Sequence, residues 1–184
     1  MSLRTVQIVS LFAATIATGL TAGVFVLYAH TIMPGLGKAD DRTFVGGFQA
    51  IDRAIINPLF MLTFFGALVL GVIAAAAHLR PGSRALLPWI VAAGILYLAA
   101  VIITLVVNVP LNDAIKAAAN ADPATVRANF HEARWNAWNL VRAVATTAAF
   151  VCLAWALVLH GRTTTTTAAG ADGGEVRAVV TADR

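Results

Sequence analysis

The sequence is poor in charge and in cysteine. Only 12% of its 184 residues are charged, whereas 59% are hydrophobic; a typical soluble domain has about 25% charged residues. This scarcity of charge excludes an ordinary soluble domain and indicates a membrane protein. The single cysteine, Cys152, excludes an internal disulfide and a cysteine metal cluster.

Several functional signatures are absent as well. The sequence contains no phosphate-binding P-loop, no dinucleotide fingerprint and no arrangement typical of a serine, histidine and acid triad. The net charge of +4 comes from scattered basic residues, without the interleaved aromatics of a nucleic-acid surface, so no nucleic acid partner is expected. No acidic residue lies in the long apolar runs, and an ion-coupled transporter therefore has little support.

What the chain does have is four uncharged apolar runs: Val6–Ala29, Pro58–Ala77, Leu86–Val109 and Ala143–Leu159. A hydrocarbon core of about 30 Å needs about 20 helical residues, so three runs are long enough and the fourth is slightly short. The first run is longer than the roughly 7 to 15 apolar residues of a signal peptide, and we interpret it as a retained span. The sequence predicts an all-α fold, a four-helix transmembrane bundle with spans at about residues 6–29, 58–77, 86–109 and 139–159 within a membrane domain of residues 1–160.

Basic residues indicate how the bundle is oriented. If the spans alternate in direction, one side carries Arg4, Arg80, Arg84 and Arg162. Short cytoplasmic loops are enriched in Lys and Arg, so we expect a multi-pass protein of the plasma (inner) membrane with both termini in the cytoplasm. The polar tail, residues 161–184, lacks sustained periodicity and is predicted to be a disordered cytoplasmic segment.

Two connections on the other side, His30–Asn57 and Pro110–Trp138, are far longer than bundle loops of about 2 to 8 residues. In the first, an apolar stripe at helical spacing predicts an amphipathic helix lying on the bundle or on the membrane surface. The stripe consists of Phe44, Phe48, Ile51 and Ile55, and the polar face of Arg42, Gln49 and Arg53. Asn57 fits the cap of the next helix and Pro58 its first position.

In the second connection, Asp122 fits a helix cap and Pro123 a first helical position. No obvious breaker follows before Gly161, so the fourth span is predicted to extend outward by several turns. The amphipathic helix and this helical extension together should cap the extracytoplasmic side of the bundle.

One face of that last helix combines aromatic and polar residues. His131, Trp135, Trp138 and Arg142 are spaced by four, three and four, and Asn139 lies beside Arg142. They would form either a pocket wall, with a planar ligand stacked on tryptophan and a guanidinium aimed at an oxyanion, or an aromatic belt with a snorkelling arginine. Composition alone favours the belt.

The end of the third span offers a second polar set, "NVPLN". Pro110 lacks a backbone donor and should free the carbonyl near Val106. The flanking Asn108 and Asn112 either hydrogen-bond across helices or form a pocket floor at the level of Arg142.

Histidines are the remaining candidates for chemistry. His131 suits a general base, because an unperturbed imidazole has a pKa of roughly 6.5. His30 and His131 are weak candidates for binding copper, iron or haem, since no carboxylate or cysteine stands beside them at ligand spacing. No cofactor is identified, and copper or haem stays open as an alternative to none.

Two strings, "NVPLND" after the third span and "W..WN.VR" at Trp135–Arg142, are similar to those of the anthrone oxygenase-like integral membrane family. Many of its bacterial members are described only as a domain of unknown function. The resemblance covers the four spans, roughly Val6–Leu159. Bacterial relatives often carry histidine directly after the motif asparagine, where this chain has Leu140.

Fungal members of the family are implicated in oxidising anthrones to anthraquinones with molecular oxygen. The resemblance therefore implies an oxidoreductase acting on a hydrophobic aromatic or quinol-like small molecule. In this reading Arg142, with Asn108 or Asn112, holds an enolate oxygen, Trp135 and Trp138 hold the ring, and His131 takes the proton. Asn139 belongs to the same substrate-binding set. The alternative is a non-catalytic membrane subunit that binds a lipid, a haem or a partner protein, as a homo-oligomer or in a membrane complex.

Overall fold

The computed structural model describes residues 2–118 and 121–162, apart from the side chains of Pro81 and Gly82. Within these ranges the chain is helical and contains no strand, as the sequence predicted. Its helices are α1 (Leu3–Gly37), α2 (Asp41–Ile55), α3 (Pro58–Ala77), α4 (Ser83–Ala117), α5 (Pro123–Asn129) and α6 (Glu132–Arg162). The tail predicted to be disordered comprises residues 161–184. Only its first two residues belong to the described part, so the disorder of the tail stays a prediction.

Four of these helices, α1, α3, α4 and α6, are long and apolar enough to cross a membrane, so the chain is a multi-pass membrane protein. α1 packs extensively against α3 and α6, and α4 packs against α6, whereas α3 and α4 share a smaller interface. Small side chains such as Ala14, Ala67 and Ala149 are fully or almost fully buried between the helices, which lets their backbones approach closely.

The two ends of the bundle differ. At one, which we call the tight end, α3 and α4 are joined by a short connection with a 3-10 turn, Pro81–Leu86. The other, which we call the cap end, carries α2 and α5. A separate cluster of buried side chains forms beneath these two helices, around Phe44, Phe48 and Phe130.

The predicted amphipathic helix is present as α2. The Asp40 side chain caps it by accepting a hydrogen bond from the Thr43 backbone N–H at 3.0 Å, and Phe44 and Phe48 are buried. Gln49, which was predicted to lie opposite the apolar stripe, is buried too, and its side chain donates to the Ile115 carbonyl at 2.8 Å. α2 lies against the end of α4 as well as α5, so more than one of its faces is covered.

The predicted start of α5 is also confirmed, since Asp122 caps it and Pro123 is its first residue. The continuous helix expected from there to Gly161 was wrong, because α5 ends at Asn129 and α6 begins at Glu132. Phe130 is buried in the cap cluster, and His131 has a φ of 54°, a left-handed conformation that few residues other than glycine adopt. The break between α5 and α6, which no local sequence signal predicts, thus coincides with the burial of Phe130.

Arg127 of α5 joins four parts of the cap end. Its side chain is 20% exposed, and its guanidinium lies 4.3 Å from the Phe44 ring centroid. It donates hydrogen bonds of 2.9 to 3.3 Å to the carbonyls of Ala39 and Gly37 and to the carboxylates of Asp41 and Glu132. One side chain therefore fixes α5 to the end of α1, to α2 and to the start of α6.

Candidate functional site

Two of the spanning helices are irregular where they approach the cap. α1 contains a π-helical turn at Tyr28–Ile32 and α4 contains one at Thr104–Asn108. The second comes directly before Val109 and Pro110, where the missing N–H of proline was expected to disturb the helix. π turns are frequent at functional sites, and here Tyr28 and Thr104 both line the same cavity.

This cavity, of about 250 Å³, lies beneath the cap among α1, α2, α3, α4 and α6. Its size is near the lower end of small-molecule pockets, which span roughly 300 to 1,000 Å³. The wall is largely aromatic and is formed by Phe25, Tyr28, Phe48, Phe60, Phe64, Phe65 and Trp135. The polar residues in it are Asp52, Thr104, Asn112, Asp113, Lys116 and Arg142, so the lining suits an apolar ring system with a polar group at one end.

Arg142 points into this cavity and not toward lipid. Its residue is 5% exposed, and the guanidinium lies 4.3 Å from the centroid of the Phe25 ring. Nη1 donates to Thr104 Oγ1 at 3.0 Å and Nη2 donates to Asn139 Oδ1 at 2.8 Å. The belt reading, in which this arginine snorkels to the headgroups, therefore does not describe its side chain.

The charge of Arg142 is not neutralised. Across residues 2–118 and 121–162 no carboxylate lies within 4.0 Å of its guanidinium, and its buried Nε has no hydrogen-bond partner. A buried ion without a counter-ion is strongly unfavourable, and arginine–anion hydrogen bonds are among the strongest in proteins. The site is therefore electrostatically prepared for a negatively charged oxygen.

Asn139 holds the guanidinium in place. It is fully buried, and its amide Nδ2 donates to the Phe25 carbonyl at 3.2 Å. This bond orients Oδ1 toward Arg142. Asn139 does not line the cavity; its Oδ1 accepts a hydrogen bond from the arginine that does.

A chain of hydrogen bonds and ion pairs leads from the aromatic wall toward the cap surface. Trp135 Nε1 donates to Asn112 Oδ1 at 2.7 Å, and Asn112 Nδ2 donates to Asp52 Oδ1 at 2.6 Å. Lys116 Nζ lies 3.0 Å from Asp52 Oδ2 and 2.9 Å from Asp113 Oδ1. The side chain of Asp52 is 8% exposed and that of Asp113 is 62% exposed, so the chain connects a buried carboxylate with the aqueous surface.

The two sequence strings meet at Trp135. Asn112 binds the indole, and Asn108, which is buried, donates through Nδ2 to the Trp135 backbone carbonyl at 3.4 Å. Asn108 does not line the cavity. It joins α4 to α6 and thereby positions the tryptophan.

Other residues predicted for the site lie elsewhere. Trp138 is 38% exposed and His131 is exposed at the start of α6, and neither lines the cavity. His30, the other weak metal candidate, is exposed on α1, where its Nδ1 is 2.6 Å from Thr31 Oγ1. In the part of the chain that the structure describes, no three His, Cys, Asp or Glu side chains converge as metal ligands.

Sequence reasoning missed Asp52, Lys116, Tyr28 and Thr104. A signal for Asp52 was available, because it follows Phe48 by four residues and therefore lies on the apolar stripe of α2. A carboxylate on such a stripe is buried and must find a partner. Lys116 likewise follows Asn112 by four residues, which places it on the same face of α4.

Comparison with protein families gives one match. A family model described as anthrone oxygenase matches residues 60–152, just over half of the chain. The matched segment contains Thr104, Asn112, Trp135 and Arg142 but not Asp52. No curated protein and no solved structure matches the chain.

Proposed function

The chain belongs to the anthrone oxygenase family, and we propose that it oxidises a hydrophobic aromatic or quinol-like molecule with molecular oxygen in the cavity beneath the cap. The observation that carries this proposal is Arg142, a buried cation that faces aromatic walls without a counter-ion. An enolate or phenolate oxygen would supply the missing negative charge. Such a site stabilises the anion as it forms more than the neutral substrate, as catalysis requires.

The chemistry balances for an anthrone, whose central ring carries a CH₂ group opposite a carbonyl. Loss of one CH₂ proton gives an aromatic enolate, and its oxygen is held by Arg142. The enolate carbon then reduces O₂ and forms a C–O bond, giving a hydroperoxide after protonation. Loss of water leaves the quinone carbonyl, so one oxygen atom enters the product and the other leaves as water.

Asp52 accepts the proton in this proposal. It lines the cavity, whereas His131, the base expected from sequence, is exposed outside it. Asp52 then returns this proton to the peroxide oxygen, so that no net proton is released, and Lys116 and Asp113 connect Asp52 with the surface. Trp135 and Phe25 flank the guanidinium at 5.5 and 4.3 Å and hold the ring beside it.

Two substitutions test these roles in protein reconstituted in lipid nanodiscs, with anthrone-dependent oxygen uptake as the readout. Removing one hydrogen-bond donor to a developing oxyanion typically lowers kcat by about 10²- to 10³-fold. We expect Arg142→Gln to lower kcat by a similar factor. Asp52→Asn keeps an oxygen that accepts from Asn112 but removes the base, and we expect a loss of at least about 10²-fold. Arg134→Gln is the matched control, because Arg134 lies on the same helix but is exposed.

Uptake at the wild-type rate in folded Arg142→Gln would refute the proposal. Uptake that is absent in the wild-type protein, together with a Soret band in its absorption spectrum, would instead support the non-catalytic, haem-binding alternative.

We also propose that the tight end faces the cytoplasm and that the membrane is the plasma (inner) membrane. Arg4, Arg80, Arg84 and Arg162 lie at that end, and none of its described residues is acidic. Lys and Arg in short segments beside spans favour the cytoplasmic side.

A further inference from the structure

The cavity reaches the lipid-facing surface of the bundle along one edge. Ile56, Phe65, Leu105 and Val109 line it and are also 61%, 46%, 52% and 36% exposed. They lie at the end of α2, on α3 and on α4. All four are apolar, and α3 and α4 form the smaller interface described above.

From this juxtaposition we propose that the gap between α3 and α4 is a lateral entrance, through which a neutral planar molecule dissolved in the bilayer reaches Arg142. The inference rests on the proposed function for the identity of its cargo. It adds the route and the class of substrate, one that partitions into hydrocarbon and becomes charged only inside the cavity.

The polar edge of the cavity argues for this route over an aqueous one. Toward the cap, the lining consists of Asp52, Asp113 and Lys116, joined by ion pairs of 2.9 and 3.0 Å. Passage there would require an apolar molecule to separate ion pairs and to leave lipid for water, which is unfavourable in proportion to its apolar area. Entry through the apolar edge requires neither, since the lipid chains and the Leu105 side chain are both apolar.

Entrance and turnover also have different requirements in this arrangement. The substrate arrives uncharged between Phe65 and Leu105, whereas its proton is accepted at Asp52, on the polar edge of the cavity. A substitution at the entrance should therefore slow the association of the substrate.

The test fills the entrance and measures binding without turnover. Leu105→Phe with Val109→Phe adds bulk at the mouth, and Leu98→Phe with Ile102→Phe is the matched control. The control residues are 44% and 52% exposed on the same helix but do not line the cavity. The reporter is Trp135, in full-length protein whose other tryptophans, Trp89, Trp138 and Trp155, are changed to phenylalanine.

The probe is 9,10-anthraquinone, which cannot be oxidised further in this reaction, delivered in the nanodisc lipid. We expect the rate at which it quenches Trp135 to fall by about tenfold in the entrance variant, within the one to three decades over which association rates of related variants vary. The equilibrium binding constant should change much less. The control should bind at the parent rate.

Equal rates in the entrance variant and the control would overturn the lateral route, even if anthrone-dependent oxygen uptake is normal. If the protein shows no anthrone-dependent oxygen uptake, but Trp135 is quenched more slowly in the entrance variant than in the control, the result would support the route and contradict the proposed reaction. The two failures are thus distinguishable.

Discussion

Replacing Arg127 should destabilise the cap that covers the cavity. Arg127→Met keeps most of the aliphatic stem but removes every hydrogen bond of the guanidinium. Hydrogen bonds to a charged group contribute about 1.5 to 3 kcal/mol each, so the two to the carbonyls of Gly37 and Ala39 give about 3 kcal/mol at the lower limit. The pair with half-exposed Asp41 adds less than about 1 kcal/mol, and the contact with Phe44 adds about 0.5 to 1 kcal/mol.

We therefore expect Arg127→Met to lower the free energy of unfolding by about 3.5 to 5 kcal/mol, a factor of several hundred to several thousand in the folding equilibrium. Equilibrium unfolding in mixed micelles, followed by circular dichroism, measures it. Arg42→Met is the control, because Arg42 is exposed on the neighbouring α2. Arg127→Lys should recover only part of the loss, since an ammonium group cannot reproduce the planar donor fork. A loss in Arg127→Met no larger than in Arg42→Met would show that the guanidinium does not hold the cap.

Two further predictions concern packing and orientation. A Cβ atom at Gly19 would lie 2.9 Å from the Phe150 ring, whereas one at Gly23 would have no neighbour within 4 Å. Overpacking costs about 1 to 3 kcal/mol and replacing a helical glycine by alanine gains about 1 kcal/mol, so Gly19→Ala should lower stability by up to about 2 kcal/mol and Gly23→Ala should leave it unchanged or raise it. Thermal unfolding that affects both alike would contradict this. For orientation, Cys152→Ser provides a background without cysteine. In it, Asp113→Cys should react with a membrane-impermeant maleimide added outside intact cells, and Arg84→Cys should not. The reverse pattern would invert the proposed orientation.

Local rules sufficed for much of the fold. The four apolar runs predicted the spanning helices, and Asp122, Asn57 and Pro58 predicted where helices begin, because caps depend on residues within one turn. The break at His131 did not follow from such rules, since it accompanies the burial of Phe130 against residues distant in sequence.

The candidate site was predictable in kind but not in composition. Trp135, Asn112 and Arg142, which line the cavity, were candidates because polar and aromatic residues at the ends of apolar runs are unusual. Asp52 and Tyr28 were not, because they meet these residues only through the packing of α1 and α2 against α4 and α6. Trp138 lies three residues from Trp135, yet the rotation of α6 leaves it exposed.

Sequence spacing also does not distinguish polar residues that stabilise a membrane bundle from those that await a ligand. Asn139 and Asn112 each donate and accept within the protein, so they stabilise helix contacts as interhelical asparagines commonly do. Arg142 is buried beside them but keeps an unused Nε donor and an unneutralised charge. A buried charge without a counter-ion is unfavourable, so the proposed function assigns the binding of an anion to Arg142 and not to the asparagines that hold it.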